Sequence, residues 1–330
     1  MDLVTGGGGY LGSHVVAALM ADGRRVRILD VQKTPYCPAG AEFFEGDMSR
    51  PEDVRASMRG IERVIHIAFV QSMSRRPEAE RYRINIGGMT NLLEAAHAEG
   101  VRRFVYTSTI EIYGVTPPFP CLEDAPKDEP VGWYGRHKWI CEQMLWDFSQ
   151  KTGLPSVALR MPTICGQGFY NNRPLLKLMD RILDSKTVAV IGDGSVPGDF
   201  VLLEDVVQGF MLAANHPAAP GEPFNISGKG ASSQLEVIRA MTGAAGSSSR
   251  IVRIPVWAAR GGIRLARTLG LHDLPPDQDG YLFNPNHYSV EKARRMIGYE
   301  PRATPAEAAA ALIAGYAQDR EYVRQRSENY

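Results

Sequence analysis

No charge of either sign predominates in this chain. Its 330 residues carry 37 Lys and Arg against 37 Asp and Glu. A balanced surface sets up no global basic field to attract nucleic acid or an anionic membrane, so neither partner is expected. Cysteine is scarce. Cys37, Cys121, Cys141 and Cys165 form no CxxC pair and have no His at zinc-ligand spacing. That argues against a disulfide framework and a structural zinc site, and no metal is expected. Reduced thiols suit a cytoplasmic protein. No apolar run reaches the ~18 residues of a membrane span. Met1–Thr5 runs straight into glycines, without the basic and apolar regions of a signal peptide. The remaining composition is that of a globular chain, 44% hydrophobic and 22% charged, of a length for one large domain or two.

The first half alternates short apolar runs with amphipathic stretches. Leu3-Val4, Val26 to Asp30, Glu42 to Glu45, Arg63 to Ile67, Phe104 to Ser108 and Pro155 to Arg160 read as strands. Helices are expected at Leu11 to Asp22, Pro51 to Arg59, Asn85 to Glu99 and Tyr134 to Thr152. Such alternation predicts an α/β fold, a Rossmann-type doubly wound parallel sheet with helices on both faces. Beyond Gly166 the pattern loosens. Phe200 to Leu203 and Phe224 to Ile226 read as strands around a Glu204 to Asn215 helix. Further helices are expected at Leu235–Met241, Pro255–Leu269 and Ser289–Ile297, the final stretch Pro305–Gln318 is alanine-rich, and Gly243 to Ser249 is the candidate mobile loop.

Two motifs carry chemistry. Thr5-Gly6-Gly7-Gly8-Gly9-Tyr10-Leu11-Gly12 joins the first strand to the first helix. Gly6, Gly9 and Gly12 have the spacing of a dinucleotide loop: a tight turn, a close backbone approach to a pyrophosphate, and a tight helix–sheet contact. The helix N-terminus adds free N–H groups and the positive dipole end. Asp30 ends the second strand, where a carboxylate accepts from ribose hydroxyls and repels a 2′-phosphate. Val31-Gln32-Lys33 follows it without an arginine, so NAD is favoured over NADP. Tyr134 and Lys138 stand four apart at a helix start, on one face. A phenol has a pKa of ~10. A neighbouring ammonium and a nicotinamide cation would favour its phenolate for proton exchange with a carbinol.

With these motifs the chain resembles the extended short-chain dehydrogenase/reductase superfamily, in its NAD-dependent epimerase/dehydratase branch. The resemblance covers most of the chain. It rests on TGGGGYLG (5–12), Asp30, Gly46-Asp47, His66-Ile67-Ala68, Asn85, TSTIEIYG (107–114), YGRHK (134–138), LRMPTICG (159–166), DFVLLEDV (199–206) and EKARRMIGYEP (291–301). It implies a Rossmann domain at 1–166, with 197–226 returning to it, and a substrate-binding lobe from 167–196 and 227–330. Asp47 and Met48 should meet the adenine, Ile67 and Ala68 the middle of the cofactor, Asn85 the nicotinamide ribose side, and Pro162 and Thr163 the nicotinamide. Tyr10 and Leu11 complete the NAD contacts. Counting back four from Tyr113 gives Thr109 as hydrogen-bond partner of the reacting oxygen, with Ser108 as the alternative. Tyr134 is then the acid/base, and Lys138 the ribose anchor. His137 reads as an exposed helix residue. The resemblance also implies a homodimer through the helices carrying Asn85 to Glu99 and Tyr134 to Thr152, with Leu92, Leu93, Met144, Leu145, Trp146 and Phe148 as apolar contacts.

Departures from the family pattern bear on the substrate. Thr109-Ile110-Glu111 keeps the family's glutamate, a base or a holder of a substrate hydroxyl, but Ile110 replaces the polar residue that protonates a leaving hydroxyl. The family's diphosphate-binding arginines have no counterpart at Gly198 or in Pro276-Asp277-Gln278-Asp279-Gly280, although Arg173 or Lys177 could substitute. Val252 to Trp257 and the SVEKARRMIGYEP ending also look like 3β-hydroxysteroid dehydrogenase-like and hopanoid-associated members. Trp257, Leu265 and Leu269 could then line an apolar pocket. Three functions follow. The first is an NAD-dependent oxidoreductase of epimerase/dehydratase type, acting at a secondary alcohol or ketone of a sugar-derived small molecule. The second is a dehydrogenase or ketoreductase for an apolar alcohol. The third is a non-catalytic NAD-binding regulator, against which Thr109, Tyr134 and Lys138 speak.

Overall fold

A computed structural model describes residues 1–127, 130, 132–168, 172–270 and 279–328. Seven parallel strands form the central sheet. In chain order they are β1 (Asp2–Thr5), β2 (Val26–Asp30), β3 (Glu42–Glu45), β4 (Arg63–His66), β5 (Arg103–Thr109), β6 (Ser156–Met161) and β7 (Pro223–Asn225). Their spatial order is β7-β6-β5-β4-β1-β2-β3. The order reverses between β1 and β4, which opens a crevice at their carboxyl ends.

The strands are apolar on both sides because helices cover both faces. On one face lie α1 (Tyr10–Ala21) and the helices Leu203–Asn215 and Glu291–Ile297. Leu11, Val15, Val16 and Leu19 of α1 are buried there, each contributing about 1.5–3 kcal/mol of apolar burial. On the other face lie α2 (Pro51–Met58), then α3 (Glu78–Tyr82), a π-helical turn Arg83–Gly87 and α4 (Gly88–Ala98) in one run, and α5 (Trp133–Thr152). The Asn85–Glu99 helix of the sequence reading therefore begins earlier and passes through a π-turn at Asn85. Leu92, Leu93 and Leu145 are buried in this protomer's own core and present nothing to a second copy.

Phe200–Leu202 pairs with Thr163–Cys165 rather than joining the main sheet. The lobe has its own core, built from Arg173–Leu183, Gln234–Ala244 and the long helix Pro305–Glu328, which is kinked at Asp319. A parallel strand pair, Val188–Ile191 with Ile251–Ile254, completes it. Val290, Ala293, Ile297 and Tyr299, from a segment the sequence reading placed in the lobe, pack instead against the sheet. The expected loop at Gly243 starts inside a helix, and its Ser247 hydroxyl donates to the Ile182 carbonyl. Among the described residues no helix is long and apolar enough to cross a membrane.

Candidate active site

The crevice at the β1/β4 switch point opens into a cavity of about 1120 Å³ that runs from the sheet to the lobe. That exceeds the ~300–1,000 Å³ of a usual single-ligand pocket. The glycine loop forms its floor. Gly6 has φ +70°, and a Cβ there would stand 2.8 Å from the Ala68 nitrogen. A Cβ on Gly12 would stand 2.1 Å from the Gly6 carbonyl oxygen, so only glycine lets α1 press onto the loop. Gly9 caps α1 with no side-chain hydrogen bond, and the first turn holds no acid. The helix N-terminus thus keeps its N–H groups and positive dipole end for an anion.

Asp30 reaches the loop from β2. Its carboxylate accepts from the Gly8 N–H at 3.1 Å and the Val31 N–H at 2.9 Å. Burial nevertheless raises its pKa. Asp47 accepts from the Ser49 N–H and hydroxyl at 2.8 and 2.7 Å. Burial works to raise its pKa, but these bonds and Arg83 at 3.7 Å outweigh it, and the carboxylate is held lowered. At the switch point the Thr5 hydroxyl joins His66 Nδ1 at 2.8 Å and accepts from the Ile67 and Ala68 N–H groups, both at 3.2 Å. Tyr10, Leu11, Met48, Ile67, Ala68, Pro162 and Thr163 all line the cavity.

Asn85 does not. It is fully buried behind the wall. Its Oδ1 accepts from the Val70 N–H at 2.8 Å, and its Nδ2 meets His137 Nδ1 at 3.3 Å. It orders the loop after Ala68 rather than touching a ligand. His137, expected on the surface, is buried between Asn85, Tyr82 and Trp133. The helical period turns it inward once the π-turn packs on α5.

Thr109, Glu111, Tyr134 and Lys138 converge on one end of the cavity. Alternation along β5 separates Thr109 from Ser108. Ser108 donates to Glu142 Oε2 at 2.6 Å, in a buried network where Glu142 pairs with Arg160. Thr109 caps the short turn after β5, its Oγ1 accepting only from the Glu111 N–H at 3.3 Å. Lys138 is 2% exposed. Its Nζ donates to the Thr107 carbonyl at 2.6 Å and lies 3.8 Å from the Phe69 ring centre and 5.8 Å from that of Tyr134. Burial lowers its pKa to about 7, against the pull of Cys141 and Glu111. Burial, with the Glu111 carboxylate, raises the Tyr134 phenol well above its ordinary value. The chain alone therefore holds Tyr134 protonated, contrary to the lowering expected from its lysine.

Phe69 and Thr107 are among the cavity residues that escaped the sequence reading. Phe69 packs edge-to-face on Tyr134, with ring centres 5.6 Å apart, and no spacing rule marks it. Thr107 Oγ1 is buried without a hydrogen-bond partner. Its i−2 relation to Thr109 on a strand was the available signal.

The lobe end of the cavity is different in kind. Leu175, Leu178, Ile191, Phe200, Val237, Ile238 and Leu282 make an apolar wall. Asp199, the one carboxylate among the described residues at this end, is taken up by the Ser227 hydroxyl at 2.5 Å and the Tyr288 N–H at 3.0 Å. Gly198 lines this end and, having no side chain, brings no charge. Neither Arg173 nor Lys177 is among the lining residues, and no Lys or Arg among the described residues lines the lobe wall. Pro276–Gln278 lie outside the described residues. Trp257, Leu265 and Leu269 do not line the cavity; they are 78%, 61% and 62% exposed.

Comparison with known proteins follows this geometry. The family model of the NAD dependent epimerase/dehydratase family matches residues 3–227. A 3 beta-hydroxysteroid dehydrogenase/Delta 5-->4-isomerase of Mycobacterium tuberculosis is 29% identical over 339 residues, covering 95% of this chain and 90% of the relative. A UDP-glucose 4-epimerase of Erwinia amylovora is 29% identical over 284 residues, covering 74% of this chain and 83% of the relative. The crystal structure of the Thermus thermophilus UDP-glucose 4-epimerase complex with NAD superposes with a TM-score of 0.76 at 25% identity, covering 96% of this chain and 98% of that one.

Proposed function

The chain belongs to the NAD-dependent epimerase/dehydratase family, and on that premise we propose that it is an NAD-dependent oxidoreductase acting at a secondary alcohol or ketone. The convergence of Thr109, Tyr134 and Lys138 on the cavity floored by the glycine loop carries this reading. The residues fit the cofactor. A Cβ at Gly12 would collide with the Gly6 carbonyl, so glycine keeps the loop tight on α1, α1 offers an N-terminus with no side-chain cap, and Asp30 at the end of β2 would accept from the ribose hydroxyls. When bound, NAD supplies the carbon that takes or returns the hydride.

The chain's own residues do the rest. Thr109 donates a hydrogen bond to the reacting oxygen. Tyr134 exchanges the proton with that oxygen. Lys138 keeps two N–H groups beyond its bond to Thr107 for the ribose hydroxyls. Its ammonium is the charge that opposes burial and Glu111 at the phenol. Phe69 and the apolar wall exclude water from this end.

Two substrate readings stay within this chemistry. Glu111 at the cavity suits a hydroxyl-rich, sugar-derived substrate. The absence of Lys and Arg from the described lobe wall favours the second reading, an apolar or unphosphorylated alcohol, because a buried diphosphate needs charge-assisted partners. Pairing of two copies through α4 and α5 rests on the resemblance, with Met144, Trp146 and Phe148 as the remaining apolar contacts. Free cysteines suit a reducing, cytoplasmic setting.

The test is to purify the protein without added cofactor, denature it, identify any released dinucleotide, and then follow NADH absorbance with a 3β-hydroxysteroid and, in a separate assay, conversion of UDP-glucose to UDP-galactose. NADH formed with the steroid and lost in Tyr134→Phe supports the apolar reading. Turnover of UDP-glucose overturns it in favour of the sugar reading. Failure to bind NAD or NADH overturns both.

A further inference from the structure

The helix Val256–Thr268 has no buried residue. Only Ala258, Ala259, Ile263 and Ala266 are turned part-way toward the lobe. Trp257, Gly261, Leu265 and Leu269 recur every four residues and form one row along the helix. Three of them are the large, exposed side chains that the sequence reading assigned to a pocket. Arg260, Arg264 and Arg267 form the adjoining row and are exposed. The surroundings extend the pattern. Between Glu236 and Asp273 the chain has six arginines and no Asp or Glu.

An exposed tryptophan and leucines beside a row of arginines are what an interfacial helix needs: rings and branched chains for the acyl boundary, guanidinium groups for the headgroups. We infer that the helix Val256–Thr268 docks the protein on an anionic lipid bilayer, lying in its surface without spanning it. Charge complementarity selects this occupant. Two copies meeting through this face would bring arginine rows together with no acid on either helix. Among the described residues the acids near the face are Asp279, which pairs with Arg267, and Asp193, which acts on Arg253. Arg260 stacks over Phe283 at 4.9 Å.

The position of the helix gives the docking a use. The strand before it, Ile251–Ile254, pairs with Val188–Ile191, whose Ala189 and Ile191 line the cavity. Tyr281 and Leu282, just before Phe283, line it as well. A docked helix thus sets the apolar end of the cavity beside the bilayer. The inference stands on this surface and does not depend on the reaction.

The experiment is co-sedimentation of the full chain with vesicles of phosphatidylcholine containing about 30 mol% phosphatidylserine, against phosphatidylcholine alone, at about 50 mM salt. The expected result is partition onto the anionic vesicles, weakened by added salt, with a blue shift of tryptophan emission. Arg264→Gln should weaken partition about fivefold. The Trp257→Ala/Leu265→Ser double variant should weaken it tenfold or more, on the order expected for lost apolar burial. Unchanged far-UV circular dichroism controls for folding. A folded protein that ignores anionic vesicles overturns the inference, as does equal binding by the double variant. So does a change in oligomeric mass on Trp257→Ala without vesicle binding, which would give the face to a second copy.

Discussion

Replacing Lys138 by Met should make the stability of the cofactor-free protein less dependent on pH. The ammonium is buried, and its pKa falls from the ordinary 10.5 to about 7. Between those values the unfolded chain holds the proton that the native chain has released, so stability rises with pH across this window. Below pH 7 the penalty for burying the charge is fully present; above about 10.5 it is gone. Integrating over pH 6 to 9 gives a gain of about 3 kcal/mol from this one group. The methionine keeps the stem against Phe69 but carries no proton and loses the bond to the Thr107 carbonyl. That loss adds a pH-independent offset. Urea unfolding of both proteins at half-unit steps, stripped of nucleotide, gives the wild-type-minus-variant difference, in which other titrating groups cancel. Cys141, coupled to Lys138, is pushed up to about 12 and stays out of the window. A difference that stays constant within about 0.5 kcal/mol would refute the argument that desolvation controls this lysine.

The remaining predictions concern single groups. Tyr134→Phe should cut hydride transfer by about a hundredfold or more while NADH affinity, read by fluorescence titration, stays within about twofold. Asp30→Ala should weaken NAD by about tenfold to a hundredfold, from the loss of a charged acceptor, and narrow the preference over NADP, measured by competitive titration. Thr109→Val should lower kcat by about a hundredfold with little change in Tm. Ser108→Ala should do the reverse, destabilising by about 1–3 kcal/mol because it strips a donor from buried Glu142. Glu142→Leu leaves Arg160 buried without its carboxylate and should cost about 3–5 kcal/mol in urea unfolding.

Legibility in the sequence divides along the cavity. Its nucleotide half is written in local spacing. A Cβ at Gly12 would stand 2.1 Å from the Gly6 carbonyl oxygen, so that position admits only glycine, and a phenol and amine that must share a helix face stand four apart. Such constraints involve near neighbours in the chain, so Gly6, Gly12, Asp30, Tyr134 and Lys138 could be named before any fold was seen. The lobe half has no such grammar. Leu178, Phe200, Val237 and Leu282 come from four separate stretches and meet only because the lobe packs them together. Asn85 and His137 were misread for a related reason. A π-turn shifts the helical phase, and facing elements then bury both residues, which no period in either segment reveals. Trp257, Leu265 and Leu269 show the opposite failure. An apolar residue in sequence implies a buried one only if some element arrives to cover it, and in this fold none of the described elements does. The residues that the resemblance suggested for a pocket wall instead lie in one row as an uncovered stripe. It therefore belongs with the protein's surface rather than with its core.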